Sequence, residues 1–294
     1  MPHPKVTIII LNWNGKEDTS ECFESLKRIT YPNYEILLVD NGSTDGSVEC
    51  LRENFPEIEI IENKENLGYA EGNNVGIRKA KENGTDYILI LNDDTVVDPE
   101  FLTELVKVAE SDPKIGFAGP KVYYYDFNGR KDVIHSAGAN INLWRGIPPP
   151  IIGVNEIDKG QYNQLNNVDY LEGACLLIKR NVIDKIGLLD AKYFMYWEET
   201  DWCTRSRNAG YSVVYVPNAR IWHKISSSSN PRKIYYMVRN MFWFMKKHSS
   251  HRNYTYFILY FFGYYFWLNS FVRFRRDSKA FKLYCKGVID GVIR

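Results

Sequence analysis

Carboxylates standing side by side at the end of an apolar run need water or a cation, and the segment YILILNDDTVVDP (87–99) ends its run in Asn92-Asp93-Asp94. A hard divalent ion such as Mg²⁺ or Mn²⁺ takes one or two protein carboxylates and completes its shell with substrate phosphates. The same cluster would also serve as an acidic turn leading to a helix cap at Asp98. A second acidic group, Glu198, Glu199 and Asp201, lies in the aromatic segment FMYWEETD (194–201). Apolar surroundings raise a carboxyl pKa and a nearby cation lowers it, so one of the three is poised to act as a general base. Equally, acidic residues suit the first turn of a helix. His223, in PNARIWHKISSSS (217–229), reads as a metal ligand or as a structural histidine. Asp40, in LLVDNGSTDGS (37–47), can accept protons from a nucleoside or cap a helix, and the glycines of NLGYAEGNNVG (66–76) allow close backbone approach to a ligand.

These residues need a scaffold, and the first hundred positions supply alternating signals. The apolar runs at 5–11, 34–39, 58–61 and 87–91 are bounded by Asn, Gly, Asp or Pro, as buried parallel strands are. Helices are predicted at 18–29, after the Ser43-Thr44-Asp45 cluster, at 72–82, and after Asp98-Pro99. Alternation of this kind predicts right-handed βαβ units with ligands outside the carboxyl ends of the strands. Residues 123–168, with Pro148-Pro149-Pro150, are expected to be long and irregular, with order returning at 168–180, a helix at 181–187, and a Pro-terminated strand at 211–217.

Charge divides the chain. Residues 231–294 carry 13 Lys or Arg against 2 Asp or Glu and hold 19 of the 43 aromatic side chains, whereas the first 230 residues are acidic. With 37 basic and 36 acidic residues overall, no global field draws the protein to nucleic acid. The run 254–272, YTYFILYFFGYYFWLNSFV, has the length of a spanning helix, but its Tyr and Trp prefer the interface and both flanks are basic. It is expected to lie on an anionic membrane surface as a helix or helical hairpin, or else to pack on the rest of the chain or form a homodimer contact. Five dispersed cysteines read as buried thiols of a reducing compartment, and MPHPKVTIIILNWNG has too short an apolar run for a secretory signal. A cytoplasmic location, peripheral to the inner face of the membrane, is therefore expected.

Seven motifs in this order, TIIILNWNG, ILLVDNGSTDGS, NLGYAEGNNVG, LILNDDT, LEGACLLIKR, FMYWEETDWCTRSRNAGY and VPNARIWH, resemble the inverting glycosyltransferases of family two, with closest likeness to the rhamnosyltransferase subgroup of surface-polysaccharide synthesis. The resemblance implies an α/β fold of the GT-A type, a Rossmann-like, mostly parallel sheet flanked by helices, with a basic, aromatic helical extension. It implies a catalytic domain at 1–230, with a nucleotide-binding half near 1–120 and an acceptor and base half near 121–230, followed by the extension at 231–294. Asp40 then holds the nucleobase, and Asn66, Gly68 and Asn74 line the nucleotide pocket. Asp94 matches the last Asp of the D-x-D metal motif, with Asn92 at its first position and Asp93 at its middle one, and His223 completes the metal shell. Glu198 and Glu199 match a Glu-Asp pair whose second member is the general base.

The expected activity is Mg²⁺- or Mn²⁺-dependent transfer of a sugar from a nucleotide-sugar donor, dTDP-rhamnose or a UDP-sugar, to a lipid-linked or polysaccharide acceptor. Two other readings stand beside it: a nucleotide-sugar-binding or scaffolding protein without turnover, suggested by Asn92 and Glu199, and a nucleotidyltransferase, which would carry a basic, glycine-rich phosphate loop where this chain has Asn12-Trp13-Asn14-Gly15.

Overall fold

The structure is a computed structural model that describes residues 3–146, 151–225 and 231–293; the Pro148-Pro149-Pro150 run and the domain boundary near 230 lie outside them. The first βαβ units form as the apolar runs predict. Strands β1 (Val6–Asn12), β2 (Tyr34–Asp40), β3 (Glu59–Glu62) and β4 (Tyr87–Asn92) are parallel in the order β3-β2-β1-β4. Helices α1 (Lys16–Leu26), α2 (Ser47–Asn54) and α3 (Gly68–Glu82) connect them. α3 starts four residues before its predicted start, because Gly68 supplies the left-handed turn (φ +81°) that begins it.

Beyond β4 the sheet becomes mixed. The short strand β5 (Thr95–Val97) follows the acidic turn, and α4 (Phe101–Ser111) follows Asp98, whose carboxylate accepts the Glu100 N–H. Next come β6 (Ile115–Tyr124), β7 (Val133–Ser136), the two-residue strands β8 (Glu156–Ile157) and β9 (Asn166–Asn167), and β10 (Cys175–Lys179). Helices α5 (Arg180–Ile186) and α6 (Glu198–Asn208) precede the long strand β11 (Ser212–His223). The central order runs β3-β2-β1-β4-β10-β6-β11-β5, with β10 antiparallel to both neighbours. The 123–168 region is thus largely irregular, as expected, with three short strands in it.

One expectation is corrected. Pro217 does not end the last strand: the pairing with β6 slips between Val216 and Arg220, so the residues around Pro217 bulge out of the ladder and the strand resumes to His223. That continuation carries His223 to the sheet edge occupied by Asp94.

Two apolar layers sandwich the sheet, one containing Ile8, Ile10, Leu38, Leu89 and Leu105, the other Ile9, Leu37, Ile77, Ile90 and Trp202. Of the cysteines, Cys22, Cys175 and Cys203 are buried, and Cys50 and Cys285 are half-buried. A third apolar cluster belongs to the extension, whose helices are α7 (Pro231–His248), α8 (His251–Tyr260), α9 (Phe266–Arg276) and α10 (Ser278–Ile293), with a wide π turn at Phe261–Tyr265. Phe242, Phe244, Phe257 and Phe261 are fully buried there, each worth roughly 2 kcal/mol of apolar burial. Tyr193 and Trp197 from the catalytic part join this cluster. The extension therefore packs on the chain through its inner face, which was one of the two expectations for it. No helix among the described residues is long and apolar enough to cross a membrane.

Candidate active site

At the carboxyl end of β1, Asn12 is fully buried and ties two loops together: its amide donates to Asp40 Oδ1 (2.8 Å) and its carbonyl accepts from Gly15 N (3.0 Å). Asp40 Oδ2 in turn accepts the backbone N–H groups of Gly42 and Ser43. Both oxygens of Asp40 are thus engaged in shaping the turn after β2. Asn41 carries the next link, accepting from Leu67 N and donating to Asn66 and to the Gly68 carbonyl.

A cavity of about 440 Å³ opens beside these loops, lined by Trp13, Asn66, Gly68, Tyr69, Asp93, Phe194 and Tyr236, among others. Of the predicted donor-binding residues, Asn66, Gly68 and Asp93 line it. Asn74 does not: it is buried, and its amide exchanges hydrogen bonds with both the N–H and the carbonyl of Leu189, strapping α3 to the chain before α6. Glycine is required at two places on the rim. A Cβ on Gly15 would lie 2.5 Å from Asp93 Oδ2, and one on Gly68 would lie 2.5 Å from the Phe194 ring.

The acidic turn meets β11 at this edge. Asp94 Oδ1 lies 3.0 Å from His223 Nε2, and the Asn92 amide nitrogen lies 3.4 Å from the same ring atom. His223 Nδ1, on the other side of the ring, faces Glu172 Oε1 at 3.9 Å, and Glu172 Oε2 is 2.8 Å from His135 Nδ1. Burial alone would lower the His223 pKa, but the carboxylates of Asp94, Glu172 and Asp93 raise it. Burial, then the charges of Asp94 and Asp18, push Asp93 up to about 8. Three acidic side chains around one imidazole, Asp94, Glu172 and Asp93, make a cation-seeking centre. Asp94 Oδ1 and His223 Nδ1 are buried without a hydrogen-bond partner, and the ligand atoms of His135, Glu172 and His223 lie within 4.8 Å of one another. Asp94 and Glu172 on the two sides of the His223 ring supply the carboxylate oxygens that Mg²⁺ or Mn²⁺ takes, with His223 as the imidazole between them.

Sequence reasoning missed His135 and Glu172. Glu172 stood in a quoted motif, LEGACLLIKR, but nothing local marks it, since its partners are 37 and 51 residues away.

The second acidic group opens α6. Glu198 is buried and Glu199 keeps part of its surface open; each has one carboxylate oxygen without a partner. Burial raises both, followed for Glu198 by the charge of Glu199, and Glu198 is raised furthest. Glu199 is pushed up to about 7. The two carboxyls are adjacent and buried together, so each, once ionised, disfavours ionisation of the other. Tyr69, a wall of the cavity, feels the charges of Glu198, Glu199 and Asp94 together, and its hydroxyl donates to the Gly173 carbonyl at 2.7 Å. Glu199 lies close to this wall: a Cβ on Gly173 would stand 3.1 Å from the Tyr69 hydroxyl and 3.8 Å from Glu199 Cγ.

Asp201 stands apart from them. Its carboxylate, fully buried, meets Arg205 at 2.8 Å, Lys247 at 2.8 Å and His248 at 2.7 Å. Burial alone would raise its pKa, but these three partners override it and hold it down at about 2. A carboxylate so saturated is an anchor between α6 and the end of α7, and the expectation of a catalytic role for it gives way to that.

Such a sheet, with acidic clusters at its carboxyl edge, belongs to the nucleotide-sugar transferase architectures, and the comparisons are specific. Residues 7–187 match the family described as glycosyl transferase family 2, and the chain belongs to that family. It groups with the rhamnosyltransferase-like members. One relative, the N-acetylglucosaminyl-diphospho-decaprenol L-rhamnosyltransferase of Mycobacterium tuberculosis, is 29% identical over 239 residues, covering 76% of either chain. Another, the dTDP-rhamnosyl transferase RfbF of Shigella flexneri, is 24% identical, covering 73% of this chain and 72% of its own. The fold is GT-A. The mannosyltransferase PcManGT from Pyrobaculum calidifontis, solved with GDP-Man and Mn²⁺, matches with a TM-score of 0.62 at 15% identity over 100% of this chain and 87% of that one. TarS from S. aureus in complex with UDP-GlcNAc matches with a TM-score of 0.60 at 14% identity, over 98% and 80%. The protein is a glycosyltransferase.

Proposed function

We propose that the protein is a divalent-cation-dependent, inverting glycosyltransferase that moves a sugar, rhamnose from dTDP-rhamnose in the first instance, to a lipid-linked or polysaccharide acceptor. The observation that carries this reading is the pairing of Asp94 with His223 at 3.0 Å at the carboxyl edge of the sheet, next in sequence to Asp93 in the cavity wall, with Glu199 close to Tyr69 of the same wall around Gly173. The named activities of the rhamnosyltransferase relatives support the donor and the lipid-linked acceptor.

Asp94 and His223 would hold Mg²⁺ or Mn²⁺, and the ion would supply charge neutralisation for the leaving diphosphate. Glu172 adds a negative charge 3.9 Å from the far ring nitrogen of His223, and His135 holds Glu172 in place at 2.8 Å. Asn66, Gly68 and Asp93 line the donor cavity, and Asp40 and Asn74 serve it indirectly by holding the loops that form it. Glu199 takes the proton of the acceptor hydroxyl as that oxygen bonds to the anomeric carbon and the bond to the diphosphate oxygen breaks. One displacement inverts the anomeric configuration. Glu198, whose pKa burial raises furthest, stays neutral beside Glu199 and leaves the negative charge on the base.

The domain boundary near 230 belongs to the same reading, with 231–294 as a membrane-facing element. Leu259, Tyr264, Trp267, Leu268 and Phe271 are exposed along the outer face of α8, the π turn and α9, and the sequence there is flanked by basic residues. An anionic membrane surface fits that combination and would bring the site to a lipid-linked acceptor. Release of dTDP from dTDP-rhamnose, dependent on Mn²⁺ and abolished by EDTA, tests the core proposal; a chain that binds dTDP-rhamnose without ever turning it over would leave the binding-protein reading instead.

A further inference from the structure

The four residues before the Glu198/Glu199 pair have an unusual backbone. Phe194, Tyr196 and Trp197 all have positive φ, at +67°, +66° and +77°, and none is glycine. A run of left-handed, bulky residues persists only when its surroundings over-determine it. The surroundings here are α7. Asn240 on that helix has no exposed surface, and its amide nitrogen lies 3.0 Å from the Tyr193 carbonyl, 2.9 Å from that of Met195 and 2.8 Å from that of Tyr196. Arg239 adds a bond to the Tyr193 carbonyl (2.8 Å) and donates to Asn240 Oδ1 (2.9 Å), which fixes the orientation of the amide. The Trp197 indole donates to the Met237 carbonyl of the same helix (3.1 Å).

We infer that Asn240 is a positioning residue for the general base: by binding the carbonyls of Tyr193, Met195 and Tyr196 with one amide, it holds the 193–197 segment in the conformation that sets where α6, and with it Glu198 and Glu199, begins. The inference rests on the proposed role of Glu199. Only an amide does this well, because the –NH₂ group offers two donors from one atom while its carbonyl is held by Arg239. An aspartate there would set a negative oxygen against three carbonyl oxygens. The same segment makes the cavity wall, since the Phe194 ring covers Gly68 and its carbonyl accepts the Ala70 N–H (3.2 Å). The extension is thus part of the catalytic machinery as well as a candidate membrane-facing element.

The test uses the full chain and the variants Asn240→Asp and Asn240→Gln. Dissociation of dTDP with Mn²⁺, kcat and KM for dTDP-rhamnose, and the infrared carboxyl band of the protonated pair against pH, assigned with Glu198→Gln and Glu199→Gln, are measured together. Asn240→Asp is expected to lower kcat by about 10- to 100-fold, the scale of a small misplacement of a reacting group, with KM within about threefold by the same argument. The pair's band should titrate at lower pH than in the wild type, because a displaced pair reaches water. The other titratable groups around Glu199, namely Tyr69 on α3, Tyr170 and Glu172 before β10, Tyr196 in the segment itself and Cys203 on α6, are left in place. Asn240→Gln, which keeps the donors, should recover part of kcat and titrate nearer the wild type. If Asn240→Asp does not fold, Asn240→Ala replaces it in the same comparison. An unmoved band, or loss of kcat only in proportion to loss of folded protein, overturns the role of Asn240. Full activity of Glu199→Gln beside a shifted band would instead remove the base assignment and leave Asn240 holding the segment.

Discussion

At the scale of single residues the two acidic groups differ in what burial does to them. Glu199 has a pKa raised to about 7 because burial outweighs its hydrogen bonds, which suits the general-base role proposed for it. Activity should therefore rise with pH through about 7, since the deprotonated form is the active one, and kcat should fall about tenfold for each pH unit below that value. Glu199→Gln keeps the size and removes the basicity, and should lower kcat by about 10²–10⁴-fold with little change in donor affinity. If Glu198→Gln were the dead variant and Glu199→Gln the active one, the assignment would be wrong by one position. Asp94→Ala should abolish cation-dependent release of dTDP while the melting curve stays in place, whereas His223→Ala should weaken it less, because phosphate oxygens and water can replace one ligand. Cation-independent activity in the Asp94 variant at wild-type rate would rule the centre out.

Elements decide how these residues meet. α6 has no side-chain cap, and its start is set by the left-handed Trp197 and by α7. Asp201 clamps the other side of the contact through Lys247 and His248. Its folded pKa is depressed, so its contribution to stability is present above the unfolded value near 4 and is lost as pH falls toward about 2. That contribution is about 2 kcal/mol. Asp201→Asn should accordingly lower the midpoint of thermal unfolding at pH 7 and flatten its dependence on pH between about 4 and 2. An unchanged acid limb would mean the clamp adds nothing. A chain ending at 230 would lose the partners of Tyr193 and Trp197, so donor hydrolysis and transfer should fall together rather than transfer alone.

The whole molecule joins an acidic catalytic part to a basic, aromatic cap whose inner face is packed and whose outer face is bare. Because each basic residue near an anionic surface contributes about 1 kcal/mol and the apolar stripe inserts as well, salt should release only part of the membrane-bound protein. Replacing Leu259, Trp267 and Leu268 by serine should abolish binding to phosphatidylglycerol vesicles and leave release of dTDP from dTDP-rhamnose unchanged, as all three side chains point away from the packed face. Equal vesicle binding by the variant and the wild type, measured by co-sedimentation, would remove the membrane role.

The sequence alone determined the parts whose signals are local. Apolar runs bounded by Asn, Gly and Asp specified β1, β2 and β4 because a buried parallel strand needs continuous apolar residues and a polar stop, and the stops placed Asp40 and Asp94 at the ligand-binding edge. The motif order then carried the family. What needed the tertiary structure depended on contacts between residues far apart in the chain. A bulge at Pro217 let β11 run on and carry His223 beside Asp94, 129 positions earlier. Glu172 and His135 gained meaning only when β7 and the loop before β10 met behind that histidine. Asn74 and Asp201 have residue types that read as functional, but their hydrogen bonds are consumed by Leu189 and by α7, which no spacing in the sequence reveals. Folding divided the aromatic tail into a face packed on the rest of the chain and a face left open, because only packing decides which side of a helix meets protein and which meets something else.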